Sequence, residues 1–252
     1  MMKKPVFKTV FRLTLAAGLF SGILFAVASP TAGNRTRVVA LTENKLGARM
    51  ALFSQLKLDS LGLSKEAFAF ALAGMEKLER EGKLSNPDLL TIADFSLPSS
   101  RKRLFVIDLA KGEVLFNTLV SHGRNSGTGL ATNFSNAPES FKSSLGFYVT
   151  GATYKGEHGY SLRLEGEEKG INDNAMSRGI VMHSAAYVNE QIAKLQGYIG
   201  RSLGCPAIPE KIHRQIIEVI KNGTCLFLYS PDKAYMANSK MLATPEIDTT
   251  IV

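Results

Sequence analysis

Two residues, His183 and Cys205, have the chemistry of a base and a nucleophile. His183 ends the apolar run GIVM at residues 179–182, which predicts a strand that holds the imidazole rigidly. Cys205 lies in the segment RSLGCPA, where Gly204 permits close backbone approach and Pro206 fixes the chain direction. A thiol becomes an effective nucleophile when a neighbouring base removes its proton. The pair therefore predicts acyl transfer in which Cys205 attacks and His183 is the general base.

The setting of Cys205 distinguishes it from the second cysteine, Cys225. The segment around Cys205 predicts a tight turn just before a helix, where the thiol pKa would be lowered. Cys225 lies in the run TCLFLY, which is typical of a core strand and predicts an inert thiol. Two alternatives stay open for Cys205, namely a buried structural thiol and a disulfide with Cys225, which would block the nucleophile.

The other three histidines carry weaker signals. His122, in the triplet SHG, is predicted to be a loop residue near the cleft. His158 is expected to be a solvated loop residue or a substrate contact, and His213 is expected on the surface of a helix. A zinc site is the rival interpretation, although the chain has no HExxH, HxH or paired-cysteine spacing. Its candidate ligands would be His122, His158, His183 and Cys205.

The elements that must position these groups are predicted to be mostly strands. Apolar and β-branched runs predict strands at residues 104–108, 114–120, 146–150, 160–164, 179–183 and 224–229. Apolar residues at helical spacing predict a helical pair within residues 43–82 and one helix at 209–221. Ser64 is the expected N-cap of the second helix of the pair. The loops at 122–136 and 165–178 are rich in Gly and Asn and are expected to carry function.

The N-terminus reads as an export signal. Four basic residues precede a small, apolar stretch at residues 13–28, and the triplet AVA at 26–28 fits the small-x-small cleavage rule. Cleavage would leave a mature chain that starts near Ser29, whereas an uncleaved membrane anchor is the alternative. The expected location is therefore the periplasm or cell envelope, without a stable membrane span after cleavage.

The charge balance restricts the class of partner. The formal net charge of the 252-residue chain is +8, and removal of the four positive charges in the signal leaves +4. Mild basicity suits an anionic polymer such as cell wall. Nucleic acid is not indicated as a partner, because no stripe of Lys and Arg with interleaved aromatic residues is present.

The order and spacing of these motifs resemble the L,D-transpeptidase catalytic domain, the YkuD-like family. His precedes Cys by 22 residues, and the Cys ends a Ser-x-Gly-Cys turn formed by residues 202–205. The segments VSHGR at 120–124 and SLGFY at 144–148 are similar to two further family motifs, and residues 160–188 resemble a divergent murein L,D-transpeptidase branch. Leu203 stands where the family pattern has His, and Pro206 stands where it has Arg or Asn. Papain-like and NlpC/P60-type peptidases place Cys before His, and sortases separate His and Cys by many more residues.

The resemblance implies a fold and a domain plan. The fold is expected to be mainly β, an L,D-transpeptidase-like β-sandwich or barrel with a few helices, plus an N-terminal helical segment. The expected plan is a signal peptide at 1–28, a leader and helical region at 29–98, a catalytic domain at 99–231 and a C-terminal tail at 232–252.

The resemblance also implies a reaction and a set of site residues. The Cys205 thiolate would attack the carbonyl at the L-centre of the diamino acid in a peptidoglycan stem tetrapeptide, and the Ser184 carbonyl would orient His183. Backbone N–H groups near Gly204 and Cys205 would bind the oxyanion. No metal or organic cofactor is implied. The remaining oxyanion or substrate-binding candidates are Tyr160, Arg178, Arg201 and Ser202.

Three outcomes stay open for the acyl-enzyme thioester. An amine of a second stem peptide gives a crosslink, and a wall-linked protein is another possible acceptor. Water instead gives an L,D-carboxypeptidase or hydrolase of the same fold. A non-catalytic wall-binding module is the alternative outside enzymes.

Overall fold

A computed structural model of the protein describes residues 45–242. The expected signal peptide, the leader up to residue 42 and the last ten residues of the expected tail lie outside this range. In chain order the elements are α1 (45–55), α2 (Lys65–Arg80), β1 (Leu89–Asp94), β2 (Leu104–Asp108), β3 (Glu113–Thr118), β4 (Gly146–Gly156), β5 (Gly159–Gly166), β6 (Val181–Ala185), α3 (Glu190–Gln196), β7 (Ala207–Pro209), α4 (His213–Ile220), β8 (Cys225–Tyr229) and α5 (Lys233–Asn238).

All eight strands form one mixed sheet in the order β3-β2-β1-β8-β4-β5-β6-β7. The pairs β1–β8 and β6–β7 are parallel and the other pairs are antiparallel. The two edges of the sheet approach each other, because the chain that leaves β3 runs beside β7. There the Ser121 N–H donates to the Ala207 carbonyl over 2.8 Å, and Gly123 forms a bridge with Ser202. The mainly β class, with a helical segment ahead of the sheet, is thus confirmed.

The helix α2 packs on the sheet through a close approach at Gly74. Ser64 is its N-cap, and the Ser64 Oγ accepts the Ala67 N–H over 2.9 Å. A Cβ at Gly74 would lie 2.1 Å from the Phe147 ring, so no larger residue fits without displacing that ring. Phe147 in turn stacks on Phe227, with ring centroids 4.1 Å apart. This cluster anchors α2 on the central strands β4 and β8.

The sheet begins earlier in the chain than residue 99, where the catalytic domain was expected to start. The buried strand β1, which the sequence analysis did not predict, lies between β2 and β8 and is the third strand of the sheet. Three further unpredicted elements are α3, α5 and the three-residue strand β7. The helix expected at 209–221 starts later, at His213, because β7 occupies the residues up to Pro209.

Residues 232–242, the described part of the expected C-terminal tail, include α5 and pack against the domain. Tyr235 of α5 is buried, and its hydroxyl donates to the buried Glu168 carboxylate over 3.0 Å. The same carboxylate accepts the Phe147 N–H over 2.9 Å, so it links the segment after β8 to β4. Among the helices of residues 45–242, none is long and apolar enough to cross a membrane.

Candidate active site

The parallel pair β6–β7 brings Cys205 beside the strand that carries His183. His183 on β6 is in register with Ala207 on β7, and Cys205 lies two residues before Ala207. The Cys205 Sγ accepts the Val181 N–H over 3.5 Å and donates to the Gly179 carbonyl over 3.7 Å. The thiol therefore lies against the start of β6, two residues ahead of His183. The sheet topology explains how residues 22 apart in sequence share one site.

The His183 imidazole is buried and held by a neighbouring carbonyl. Its Nδ1 lies 2.9 Å from the Ser184 carbonyl oxygen, and only 3% of the residue is exposed. Burial lowers the pKa of His183, the Ser184 carbonyl opposes that effect, and the nearby His158 lowers the pKa further. A lowered pKa keeps the imidazole neutral at pH 7, which is the form that can accept a proton.

The Cys205 thiol is half-buried, and its resting form is protonated. Burial raises its pKa, while the Val181 N–H and the positive charge of Arg178 act in the opposite direction. The expected helix directly after Cys205 is absent: β7 follows, and α4 begins only at His213. The sequence-based expectation of a thiol pKa lowered by a helix N-terminus is therefore wrong.

The turn that carries Cys205 is closed by Ser202. The Ser202 Oγ donates to the Cys205 carbonyl over 2.6 Å and accepts the Gly204 N–H over 3.0 Å. The Gly204 carbonyl accepts from the Ser143 hydroxyl over 3.1 Å. Gly204 has φ 129°, and an added Cβ would lie 2.9 Å from the Lys142 carbonyl oxygen, so glycine is required here. Because the Gly204 N–H is engaged by Ser202, the Cys205 N–H is the donor of this turn that lies next to the thiol.

Arg178 borders the same turn and organises the loop before β4. Its guanidinium donates to the carbonyls of Ser135 and Lys142 over 2.9 and 2.8 Å and to the Ser140 hydroxyl over 3.2 Å. Its Nη2 would lie 3.4 Å from a Cβ at Gly204. Arg178 therefore places a positive charge beside Cys205 while most of its donors serve the protein.

The structure directs two other predicted site residues away from Cys205. The exposed Arg201 donates to the carbonyls of Arg124 and Gly127, both over 3.3 Å. The Tyr160 hydroxyl donates to Glu218 of α4, and the Tyr160 ring faces the Arg214 guanidinium at 4.9 Å. In this conformation Tyr160 joins β5 to α4.

His122, which was predicted to be a loop residue near the cleft, lies in the protein interior. Its Nδ1 accepts from the buried Arg103 guanidinium over 2.7 Å, and its Nε2 lies 3.1 Å from the Gly127 carbonyl oxygen. Burial and the Arg103 charge lower the pKa of His122 to about 4. The Arg103 guanidinium also donates to the Val120 and Leu97 carbonyls, and burial lowers its pKa to about 9.

Two neighbours of the site carried no clear sequence signal. His158, at the tip of the β4–β5 hairpin, stacks on His183 with ring centroids 4.2 Å apart and an interplanar angle of 21°. Burial raises the pKa of Tyr187, while a hydrogen bond with the Ser121 hydroxyl acts in the opposite direction. Its ring packs on Gly200, where an added Cβ would lie 2.6 Å from the Tyr187 Cγ. Glycines at 156 and 159 indicate a tight hairpin but not which residue its tip covers.

The structure contains neither a disulfide between the two cysteines nor, in its described residues, a cluster of metal ligands. Cys205 and Cys225 are both free thiols, and Cys225 is fully buried in β8, where burial raises its pKa. Over residues 45–242, no group of three or more His, Cys, Asp or Glu side chains is arranged to hold a metal ion.

A family model described as the L,D-transpeptidase catalytic domain matches residues 59–229, which is more than half of the chain. The matched region contains α2 and all eight strands as well as His183 and Cys205. No curated protein matches this chain.

Several solved structures are similar to part of this chain. An L,D-transpeptidase from Mycobacterium smegmatis is 16% identical with a TM-score of 0.35, over 57% of this chain and 59% of that one. The helical cell shape determining protein Pgp2 from Campylobacter jejuni is 15% identical with a TM-score of 0.37, over 64% of this chain and 57% of that one. An L,D-transpeptidase from Stackebrandtia nassauensis is 12% identical with a TM-score of 0.34, over 66% and 68%. The chain spans less than two thirds of the length of the first two.

Proposed function

The chain belongs to the L,D-transpeptidase catalytic domain family, and from this membership we propose that it is a cysteine-dependent peptidoglycan L,D-transpeptidase. Cys205 is the proposed nucleophile and His183 the proposed general base. The substrate is a stem tetrapeptide, and the intermediate is a thioester on Cys205. The enzyme acts in the cell envelope, which it reaches through the signal peptide at residues 1–28.

One observation carries this proposal: the Cys205 Sγ lies against the backbone of the strand whose third residue is His183. The Sγ contacts the Val181 N–H at 3.5 Å, and Val181 and His183 point to the same face of β6 because strand side chains alternate. A thiol held at the backbone of β6, two residues before a neutral imidazole on the same strand, supports a nucleophile–base pair.

The proposed reaction begins from neutral partners. The raised pKa of Cys205 and the lowered pKa of His183 mean that the thiol keeps its proton until substrate binds. His183 then takes the proton as the Cys205 Sγ bonds to the carbonyl carbon at the L-centre of the diamino acid. The bond from that carbon to the D-alanine nitrogen breaks, and the His183 imidazolium returns the proton to the departing amine.

The Ser184 carbonyl and the Cys205 N–H support the charged stages of this reaction. The Ser184 carbonyl, 2.9 Å from the His183 Nδ1, accepts a hydrogen bond from the N–H of this nitrogen and stabilises the imidazolium. The Cys205 N–H is the proposed donor to the oxyanion. Gly204, first proposed for that task, instead preserves the shape of the turn, since its N–H donates to Ser202.

The second half of the reaction transfers the acyl group. The side-chain amine of a second stem peptide attacks the thioester, a C–N bond replaces the C–S bond, and the Cys205 thiol is released. The product is a 3–3 crosslink. The half-buried thiol leaves room for an acceptor on its open side, and the mild basicity of the mature chain favours the anionic wall polymer.

Mass spectrometry of purified muropeptides tests the proposal. The mature protein, incubated with tetrapeptide muropeptides, should release D-alanine and form dimers, and Cys205→Ala should form neither. Cys225→Ala is the matched control, because the Cys225 thiol is fully buried in β8. It should retain product formation at a temperature where it stays folded.

The alternatives give different products in the same assay. D-alanine release with monomers only would identify an L,D-carboxypeptidase, and release of a wall-linked protein would identify a hydrolase. No change that depends on Cys205 would contradict an enzymatic role and leave a wall-binding module.

A further inference from the structure

The tip of the β4–β5 hairpin lies directly over the His183 side chain. The strands pair up to Gly156 and Gly159, so only residues 157 and 158 form the tip. His158 is itself exposed, yet its ring stacks on the His183 ring at 4.2 Å with an interplanar angle of 21°. An exposed loop side chain therefore forms the outer wall of a buried imidazole.

His183 has few other restraints on its ring. The Ser184 carbonyl holds one nitrogen, and a single hydrogen bond leaves the ring free to tilt about that contact. A stacked ring removes the tilt and excludes water from one face. The exposed fraction of His183 is 3%, which requires a cover on its outer side.

We propose that His158 is a positioning residue for the reaction: its ring covers one face of His183, fixes the plane of that imidazole and excludes water from it. The proposal rests on the proposed role of His183 as the base. In this role the β4–β5 hairpin orients His183 already in the free protein. A substrate contact, in contrast, would act only after substrate binds.

Among residues 45–242, no other ionisable side chain around β6 duplicates this contact. Burial lowers the pKa of His183, and His158 is the one titratable neighbour that contributes to the shift. The Tyr160 phenol is directed to Glu218, and the Arg163 guanidinium lies over the Tyr154 ring at 4.7 Å. The ionisable groups on β5 and α4, which pack against β6, and on the turn before β7 are Tyr160, Arg163, Glu165, Cys205, His213, Arg214 and Glu218.

The test compares His158→Ala with His158→Phe in the mature protein. Phe keeps a flat ring over His183 without a charge, whereas Ala removes the cover. Glu157→Ala is the control, because it alters the same hairpin tip and removes no contact with His183. The His183 pKa is measured by NMR titration of the imidazole C–H signals without substrate, and kcat and KM are measured with tetrapeptide muropeptides.

Loss of the ring should raise the His183 pKa towards its ordinary value, because burial of the imidazole is the largest cause of the lowered pKa. His158→Ala should also lower kcat about tenfold while KM changes less than about twofold, since a base that tilts is productive less often. His158→Phe should recover most of kcat. It should keep the acid limb of the pH profile closer to the wild type than Ala does.

Two results would overturn the proposal. The first is an unchanged His183 titration in His158→Ala, and the second is a raised KM with kcat unchanged, which would make His158 a substrate contact. The titration needs no turnover, so it answers the question even if the wild-type protein shows no L,D-transpeptidase activity. Failure of the proposed function and failure of this inference are therefore separate outcomes.

Discussion

His183 and His122 are both buried imidazoles with lowered pKa values, but their surroundings leave only one of them able to act as a base. The His183 Nδ1 faces the Ser184 carbonyl, and its ring is covered by an exposed loop residue. His122 has both nitrogens engaged, one by the Arg103 guanidinium at 2.7 Å and the other near the Gly127 carbonyl at 3.1 Å. A base needs a nitrogen that is free to take a proton, and only His183 keeps one.

The comparison also explains why the motif letters around His122 mislead. Residues 121–123 read SHG, which matches part of the family pattern before its Cys. The structure uses this triplet at the seam between the two sheet edges, where the His122 carbonyl accepts the Ser202 N–H over 3.0 Å. The His122 region thus supports the turn of Cys205 through its backbone, while the His183 region supplies the proposed chemistry.

The largest expected effect is a loss of activity on substitution of His183. His183→Ala should lower kcat by about 100-fold to 10,000-fold, the usual contribution of a general base, with little change in Tm. Muropeptide turnover and circular dichroism measure the two quantities. A variant that stays folded and retains more than half of the wild-type rate would remove His183 from the mechanism.

The next largest effect is the contribution of His122 to the pH dependence of folding stability. The His122 pKa is about 4 in the folded state and near 6.5 in the unfolded chain, so the unfolded state binds the proton first as pH falls. Folding stability from this group is complete above pH 6.5 and is lost as pH falls towards 4. The loss between pH 7 and pH 5 should be about 2 kcal/mol.

Urea unfolding at several pH values in this interval measures that loss. His122→Gln should flatten the pH dependence, whereas His183→Ala should leave most of it. His213→Gln is the control, since His213 lies partly exposed on α4. An equally steep curve for His122→Gln would show that the acid sensitivity arises elsewhere.

Most strands were predictable from sequence because their signals are local. The apolar and β-branched runs that became β2, β3, β4, β5, β6 and β8 are identified by their side-chain pattern. The strand β1 was missed because LLTIAD is a short apolar run, and such a run does not distinguish strand from helix. The three residues of β7 are a strand only because β6 lies beside them.

The sequence identifies His183 and Cys205 as a candidate pair, but it does not identify the residues that surround them. The order of His183 and Cys205 and the glycine before the thiol are visible in the sequence. The burial of Arg103 is not, because it follows two similar basic residues and nothing in the sequence marks which of the three is enclosed. The stack of His158 on His183 is also a tertiary contact that no local pattern encodes.

The smallest expected effect tests how strongly the two regions are coupled through Ser202. Its N–H binds the His122 carbonyl and its hydroxyl closes the Cys205 turn, so Ser202→Ala keeps the first contact and removes the second. A lost hydrogen bond of about 1 kcal/mol should lower kcat roughly tenfold or less and reduce Tm slightly. Ser177→Ala is the control, because the Ser177 hydroxyl donates only within its own loop, to the Asn174 carbonyl. Equal kcat values for both variants would mean that the backbone contacts alone hold the Cys205 turn. The His122 and His183 regions would then differ only in the surroundings of their imidazoles.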